Sequence, residues 1–278
     1  LNTSLGSESF AANTTGNNNT AIGQNALNNN TTASHNTAVG TSSLGTNTEG
    51  FSNTAVGADS LTKNTTGDYN VAVGQFALEE NTTANRNTAV GTFSLERNTT
   101  GQFNTGLGGW AAQSNTTADN NTAVGYFALN NNTTGAKNNA IGVRTLAANT
   151  TGANNNAVGY QALDANTTGS QNTALGHSSL GGNTTADNNT AVGYEALKAN
   201  TTGAQNVAVG ANALDANTTG QLNVAVGYYA LSAQNADGYN TAVGAQAMQA
   251  TTSGIYNVAV GRAALFANTT ASNNTALG

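Results

Sequence analysis

A glycine returns every 17 residues along this chain, from Gly6 to Gly278, with no insertion or deletion. Four residues before each one stands an asparagine, from Asn2 to Asn274. A fixed short period requires a repeat architecture, in which each unit buries itself against its neighbours. The chain reads as sixteen whole repeats preceded by six residues, a single uninterrupted repeat domain over 1–278.

Written as a unit, the repeat is N-T-A-V-G-x-x-A-L-x-x-N-T-T-G-x-x. Seventeen residues are too few for a helix pair, a leucine-rich repeat or a propeller blade, but they suit one coil of a parallel β-solenoid. T-A-V-G alternates with period two, as a strand demands. The residue before the glycine is aliphatic, as at Val39, Ile22 and Leu107, so it is expected to face inward, with the residue two earlier (Thr37, Val71, Asn139) on the same face. The glycine supplies a bend that a Cβ would resist. Four residues later comes a second core column, Leu27, Leu61, Leu129 or Leu197, replaced by Phe10, Met248 and Ala112. The asparagine of N-T-T-G recurs in fourteen of sixteen repeats, with Gln234 and Thr251 as exceptions. Stacked about 4.7–4.8 Å apart, such amides can hydrogen-bond coil to coil as a ladder. Glu8, Asp59, Lys63, Glu79, Glu80, Glu96, Arg144 and Lys198 fall at variable positions expected to face water. One repeat, at Gln234–Gly238, shifts its second glycine by one place while the period holds.

Composition narrows the function classes. Charged residues make up 7% of the chain, and seven Lys and Arg in 278 residues cannot neutralise a nucleic-acid backbone. No apolar run approaches the roughly 20 residues of a membrane-spanning helix. There is no Cys or Pro. With Leu1 falling inside a repeat, the sequence reads as a window of a longer fibre protein. His35 and His177 lie far apart in variable positions, no carboxylate pair or metal-ligand spacing recurs, and no G-x-x-x-x-G-K occurs. The expectation is a non-enzymatic chain without a cofactor or metal.

The column two places before each glycine is Ala nearly throughout, as at Ala21, Ala38, Ala55, Ala123 and Ala191, with only Ser4 and Gly106 departing. If Val faces inward, this column faces outward, and its restriction to small residues points to another chain lying against it. A tight interior corner of one chain would impose the same limit.

T-A-V-G-x-x-A-L, as in Thr122-Ala123-Val124-Gly125-Tyr126-Phe127-Ala128-Leu129, resembles the head repeats of YadA-like trimeric autotransporter adhesins, whose phrase is V-A-I-G-x-x-A. Similar repeats occur in phage tail-fibre-like and other surface-fibre proteins. The resemblance runs through every repeat and implies a left-handed parallel β-roll, three chains side by side, on a cell or virion surface, contacting host matrix, cells or glycans. The coils here are longer than the usual head repeat by the N-T-T part.

Three surface features bear on contacts. Asn-Thr-Thr is an N-glycosylation acceptor at Asn13, Asn30, Asn64, Asn81, Asn98 and eight further sites, so a glycan-coated filament is an alternative. A buried ladder amide cannot carry a sugar, so the two readings exclude each other at each site. Two threonine rows, from Thr14 to Thr269 and from Thr15 to Thr270, raise an ice-binding alternative, although neighbouring strand residues face opposite ways and Glu49 interrupts one row. Tyr126, Tyr160, Tyr194 and Tyr228 follow the glycine in every second coil, with Trp110, Phe76, Phe93 and Phe127 one place on. Exposed, these rings could stack on sugars or anchor a protein ligand. Together the expectations are an all-β solenoid of sixteen coils, about 75–80 Å long at the spacing of β-strands. It would be a trimer serving as an extracellular fibre or adhesin head, with multivalency in place of a pocket.

Overall fold

A computed structural model describes residues 1–235 and 238–278. Ala236 and Asp237, and with them part of the irregular repeat expected at Gln234–Gly238, lie outside the described residues. The chain divides into two compact units, Leu1–Lys137 and Asn138–Gly278. Each is an all-β parallel solenoid, and no helix occurs among the described residues.

The first unit holds eight three-residue strands, from β1 (Thr3–Leu5) to β8 (Thr122–Val124). Each pairs in parallel with the next at an offset of 17 residues: Thr20 lies opposite Thr37, Ala38 opposite Ala55, Gly106 opposite Ala123. The second unit repeats the scheme with nine strands, from β9 (Asn139–Ile141) to β17 (Thr275–Leu277), Ala157 lying opposite Ala174 and Val207 opposite Val224. Like residues therefore stack on like within each unit.

Strands stop after three residues because the glycine turns the backbone out of the sheet. Gly57 has φ +135°, and a Cβ there would stand 2.6 Å from the Gly74 carbonyl oxygen of the next coil. The rest of the coil contains no strand, yet its backbone is also paired from coil to coil. Leu27 N–H donates to Ser43 O (3.0 Å) and Asn25 N–H to Ser7 O (3.0 Å), while Asn30 N–H closes a local turn on Leu27 O (3.2 Å). Main-chain polar groups are thus satisfied without long strands, as burial requires.

The turning is done by left-handed backbone. Forty-eight described non-glycine residues have φ near +55°, three per coil: two and four places after the motif glycine, and five places before the next. Phe76 (φ 59°), Leu78 (φ 53°) and Arg86 (φ 58°) form one such set. None of the 48 is Val, Ile or Thr, although the chain is rich in threonine. A β-branched side chain is a genuine outlier in this region, which explains why the second core column is Leu and never Ile. Left-handed backbone costs roughly 1–2 kcal/mol per L-residue. The surrounding stack has to hold it in place.

The strand faces are the reverse of the expectation. Ala21, Ala38, Ala55, Ala123 and Ala191 are fully buried inside one chain, whereas the Val column faces out, with Val90 38% and Leu175 48% exposed. The alanine column is therefore an interior corner and not a contact with a second chain. The reason is width. The alanines share the interior with a second small column (Ala26, Ser43, Ala77) and the fully buried leucines. At Gly106 even a methyl group would meet Ser94 Oγ at 2.5 Å and Leu95 Cγ at 3.2 Å. Three-residue strands put one side chain on one face and two on the other. The narrow interior takes the single small one.

Candidate functional site

With alanine inside, the outer face of each sheet carries two parallel columns. In the first unit these are Thr20, Thr37, Thr54, Val71, Thr88, Thr105 and Thr122, beside Ile22, Val39, Val56, Val73, Val90, Leu107 and Val124. The second unit presents the same columns from Asn139 and Ile141 to Thr275 and Leu277. No charged residue stands in either column. The second column is about one-third exposed or more at Ile22, Val56, Val90 and Leu107, and in the second unit at Ile141, Val158, Leu175, Val243 and Val260. Single exposed apolar side chains are ordinary, but an uninterrupted aliphatic row along a sheet is the kind of patch that marks an interaction surface.

Two asparagine ladders run beneath the surface. In the first, the Asn before each strand accepts the backbone N–H of its counterpart in the next coil: Asn53 N–H donates to Asn36 Oδ1 at 2.9 Å, while Asn53 Nδ2 donates to Gly67 O at 2.7 Å. In the second, each N-T-T asparagine donates back one coil and forward three residues: Asn64 Nδ2 lies 2.8 Å from Asn47 Oδ1 and 3.0 Å from Gly67 O. Asn30, Asn64, Asn81 and Asn98 are wholly buried, and Asn13, in the end coil, is half-buried and accepts from Asn30 Nδ2 at 3.2 Å. Both Nδ2 hydrogens of Asn64, Asn81 and Asn98 are committed, so a glycan at these expected acceptor sites has no room in the folded coil.

The threonine rows divide. Thr65, Thr82 and Thr99, first of each pair, spend their hydroxyls on the carbonyl of the next coil's threonine, as in Thr65 Oγ1 to Thr82 O at 3.1 Å. Thr66, Thr83 and Thr100 are exposed. Only one of these two rows is exposed, so the paired threonines do not together form a two-dimensional array.

The aromatic residues form the expected rows, but their ring faces are turned along the stack. Phe76, Phe93, Trp110 and Phe127 make a continuous ladder with centroids 5.1, 5.3 and 5.5 Å apart, each ring lying nearly flat on the next. Tyr126 stands edge-on to Trp110 and Phe127. In the second unit His177 is sandwiched between Tyr160 and Tyr194 at 5.3 and 5.2 Å, and Tyr228 meets Tyr229 edge-on. Phe93, Trp110 and His177 are thus covered on both faces, and Tyr160 and Tyr194 each have one face covered by His177. Arg86 lies between the Tyr69 and Phe103 rings, 5.6 Å from each centroid.

Ionic residues are less uniformly solvated than expected. Asp68 and Asp119 accept a backbone N–H from the preceding coil, Phe51 N–H to Asp68 Oδ1 at 2.9 Å and Gln102 N–H to Asp119 Oδ1 at 2.6 Å. This side-chain ladder was hidden in the variable positions, where Asn, Asp and Ser share an acceptor oxygen. Burial raises the carboxyl pKa of Asp164, partly countered by Arg144 Nη2 3.5 Å from Oδ2, and raises that of Asp215 as well. Lys63 pairs with Glu80, and Lys198 with Glu195 at 2.8 Å. Gly181 lacks the side chain that Asp164 and Lys198 carry at its place in the adjacent coils, and a notch of about 330 Å³ opens there. No cluster of three or more His, Asp or Glu suited to a metal occurs among the described residues. No protein-family model and no curated protein sequence matches the chain.

Proposed function

We propose that this chain forms part of a homotrimeric, non-enzymatic extracellular fibre or adhesin head, in which copies associate through the Thr/Val faces of their sheets. The carrying observation is the exposed aliphatic row, uncharged and repeated at every coil of each unit. A partner covering such a face must offer apolar side chains at the same spacing, and a second copy of this chain has that period by construction. Low charge removes the repulsion that would keep copies apart. Three chains, display on a cell or virion surface and contact with host matrix or glycans follow the resemblance of the T-A-V-G-x-x-A-L phrase to YadA-like head repeats. Contact with a ligand would be multivalent, through repeated ring edges and exposed threonines, so that avidity replaces a deep pocket. The buried amides weigh against a glycan coat at the Asn-Thr-Thr sites, and the spent hydroxyls of the first threonine of each pair weigh against ice binding through the Asn-Thr-Thr rows.

The test places lysine on the outer face, as Val56→Lys with Val90→Lys, and measures mass by light scattering after size exclusion. Repulsion among identical copies should release monomers, while Thr66→Lys with Thr100→Lys, on another exposed row, should leave the assembly intact. Equal behaviour of the two pairs would rule out association through this face.

A further inference from the structure

Tyr239 and Tyr256 are five places before their motif glycines in successive coils of the second unit, both with left-handed backbone (φ 46° and 56°). Their rings stack with centroids 5.0 Å apart and planes inclined by 15°, and the residues are 42% and 53% exposed. Among the described residues no other two tyrosines stack flat. Tyr69 meets Phe51, Tyr126 meets Trp110 and Phe127, Tyr160 and Tyr194 are separated by His177, and Tyr228 is edge-on to its sequence neighbour Tyr229.

The pair bridges the coils where the buried amide ladder is interrupted. Gln234 and Thr251 stand in the ladder column that is otherwise Asn throughout this unit. Asn217 Oδ1, the atom that the next coil's amide reaches elsewhere, is buried without a hydrogen-bond partner. Beyond the break, Thr251 Oγ1 donates to Asn268 O at 3.0 Å, and Asn268 Nδ2 reaches Thr251 Oγ1 only at 3.5 Å. The asparagine column is therefore interrupted inside where two phenols lie together outside.

We propose that Tyr239 and Tyr256 are a site of oxidative covalent coupling, a dityrosine staple between adjacent coils. The co-reactant is a peroxide acting through a haem peroxidase. Each phenol loses one electron and one proton to give a phenoxyl radical. The two radicals join through the ring carbons ortho to the hydroxyls, and those carbons then pass their hydrogens back to oxygen, restoring both phenols. The two electrons and two protons released reduce one hydrogen peroxide to two waters. Parallel rings in contact need only a small rotation to bring ortho carbons together, and an exposed pair is open to an external oxidant. The bond closes a loop of seventeen residues, and a cross-link of that size stabilises by restricting the unfolded chain.

The experiment treats the folded chain, at low protein concentration, with hydrogen peroxide and a haem peroxidase. Expected are dityrosine fluorescence, a single-chain mass reduced by two hydrogens, and a peptic fragment pair joined through Tyr239 and Tyr256. Tyr239→Phe and Tyr256→Phe, which keep a stackable ring, should each abolish that linked pair. The treated wild type should unfold at a higher denaturant concentration than untreated protein, and treated Tyr239→Phe should show no shift. Coupling confined to Tyr228–Tyr229 or to links between chains would overturn the proposal, as would an equal 239–256 yield in urea. A linked chain with an unchanged midpoint would overturn the stapling role.

Discussion

Asn64 Nδ2 donates to Asn47 Oδ1, 17 residues earlier, at 2.8 Å, and in the same place Asn81 Nδ2 donates to Asn64 Oδ1 at 2.8 Å. Each amide is both acceptor and donor, so removing one breaks two rungs and strands buried partners. Asn64→Ala would also leave Gly67 O without one of its donors. With about 1–3 kcal/mol for each buried polar group left unpaired, the expected loss is about 2–4 kcal/mol, read from denaturant unfolding. A loss under about 0.5 kcal/mol would mean that the ladder is incidental to stability.

Left-handed backbone at the leucine column separates side chains of similar volume. Leu78 has φ 53° and is fully buried, and Met248 holds the equivalent place in the second unit at φ 49°. Leu78→Met should cost less than about 1.5 kcal/mol, as volume-conserving exchanges do. Leu78→Ile adds β-branching where the backbone resists it and should cost at least about 1–2 kcal/mol more. Equal unfolding midpoints for the two variants would count against this backbone assignment.

Adjacent residues of one strand should answer differently to the same new side chain. Thr88→Val reproduces Val71, its counterpart one coil earlier, and should change stability by less than about 0.5 kcal/mol, as surface exchanges do. Ala89→Val adds two methyl groups to the filled interior and should cost about 1–3 kcal/mol. Similar costs at both positions would contradict the assignment of faces.

Asp215 gives a pH signature. Burial lifts its carboxyl above the ordinary value of 3.8, so the folded state holds its proton to higher pH than the unfolded chain does. Stability is then greatest below the unfolded pKa and falls as pH rises from about 4 through the folded value. Asp215→Asn should be more stable than wild type at neutral pH and should flatten the decline above pH 4. Asp164, with Arg144 beside it, should show the smaller effect. Parallel pH profiles for wild type and Asp215→Asn would show that the buried carboxyl is not responsible.

Much of the architecture could be read from the residues because its period is strict. The glycine bend, the T-A-V strand, the leucine column and the amide ladder each recur at fixed positions in every coil, with few substitutions. Which strand face lies inside could not be read from hydrophobicity, since Ala123 and Val124 are both apolar and the strand is too short to establish an alternation. Size was the better guide: a column that accepts Ser4 and Gly106 but nothing larger than Ala or Ser describes a cramped interior, whereas one that alternates Val, Ile and Leu has room. The left-handed positions were also written in the sequence, as three columns free of Val, Ile and Thr in a threonine-rich chain. Ring orientation was not, because spacing alone does not say whether Tyr160 and Tyr194 turn faces outward or toward His177.

Sedimentation equilibrium on the chain tests most directly the claim that copies meet through the outer sheet face. The account predicts a species of three times the 27.7 kDa chain mass, reverting to one chain when Val56 and Val90 are both lysine. A wild-type chain that stays at 27.7 kDa at every concentration would contradict it.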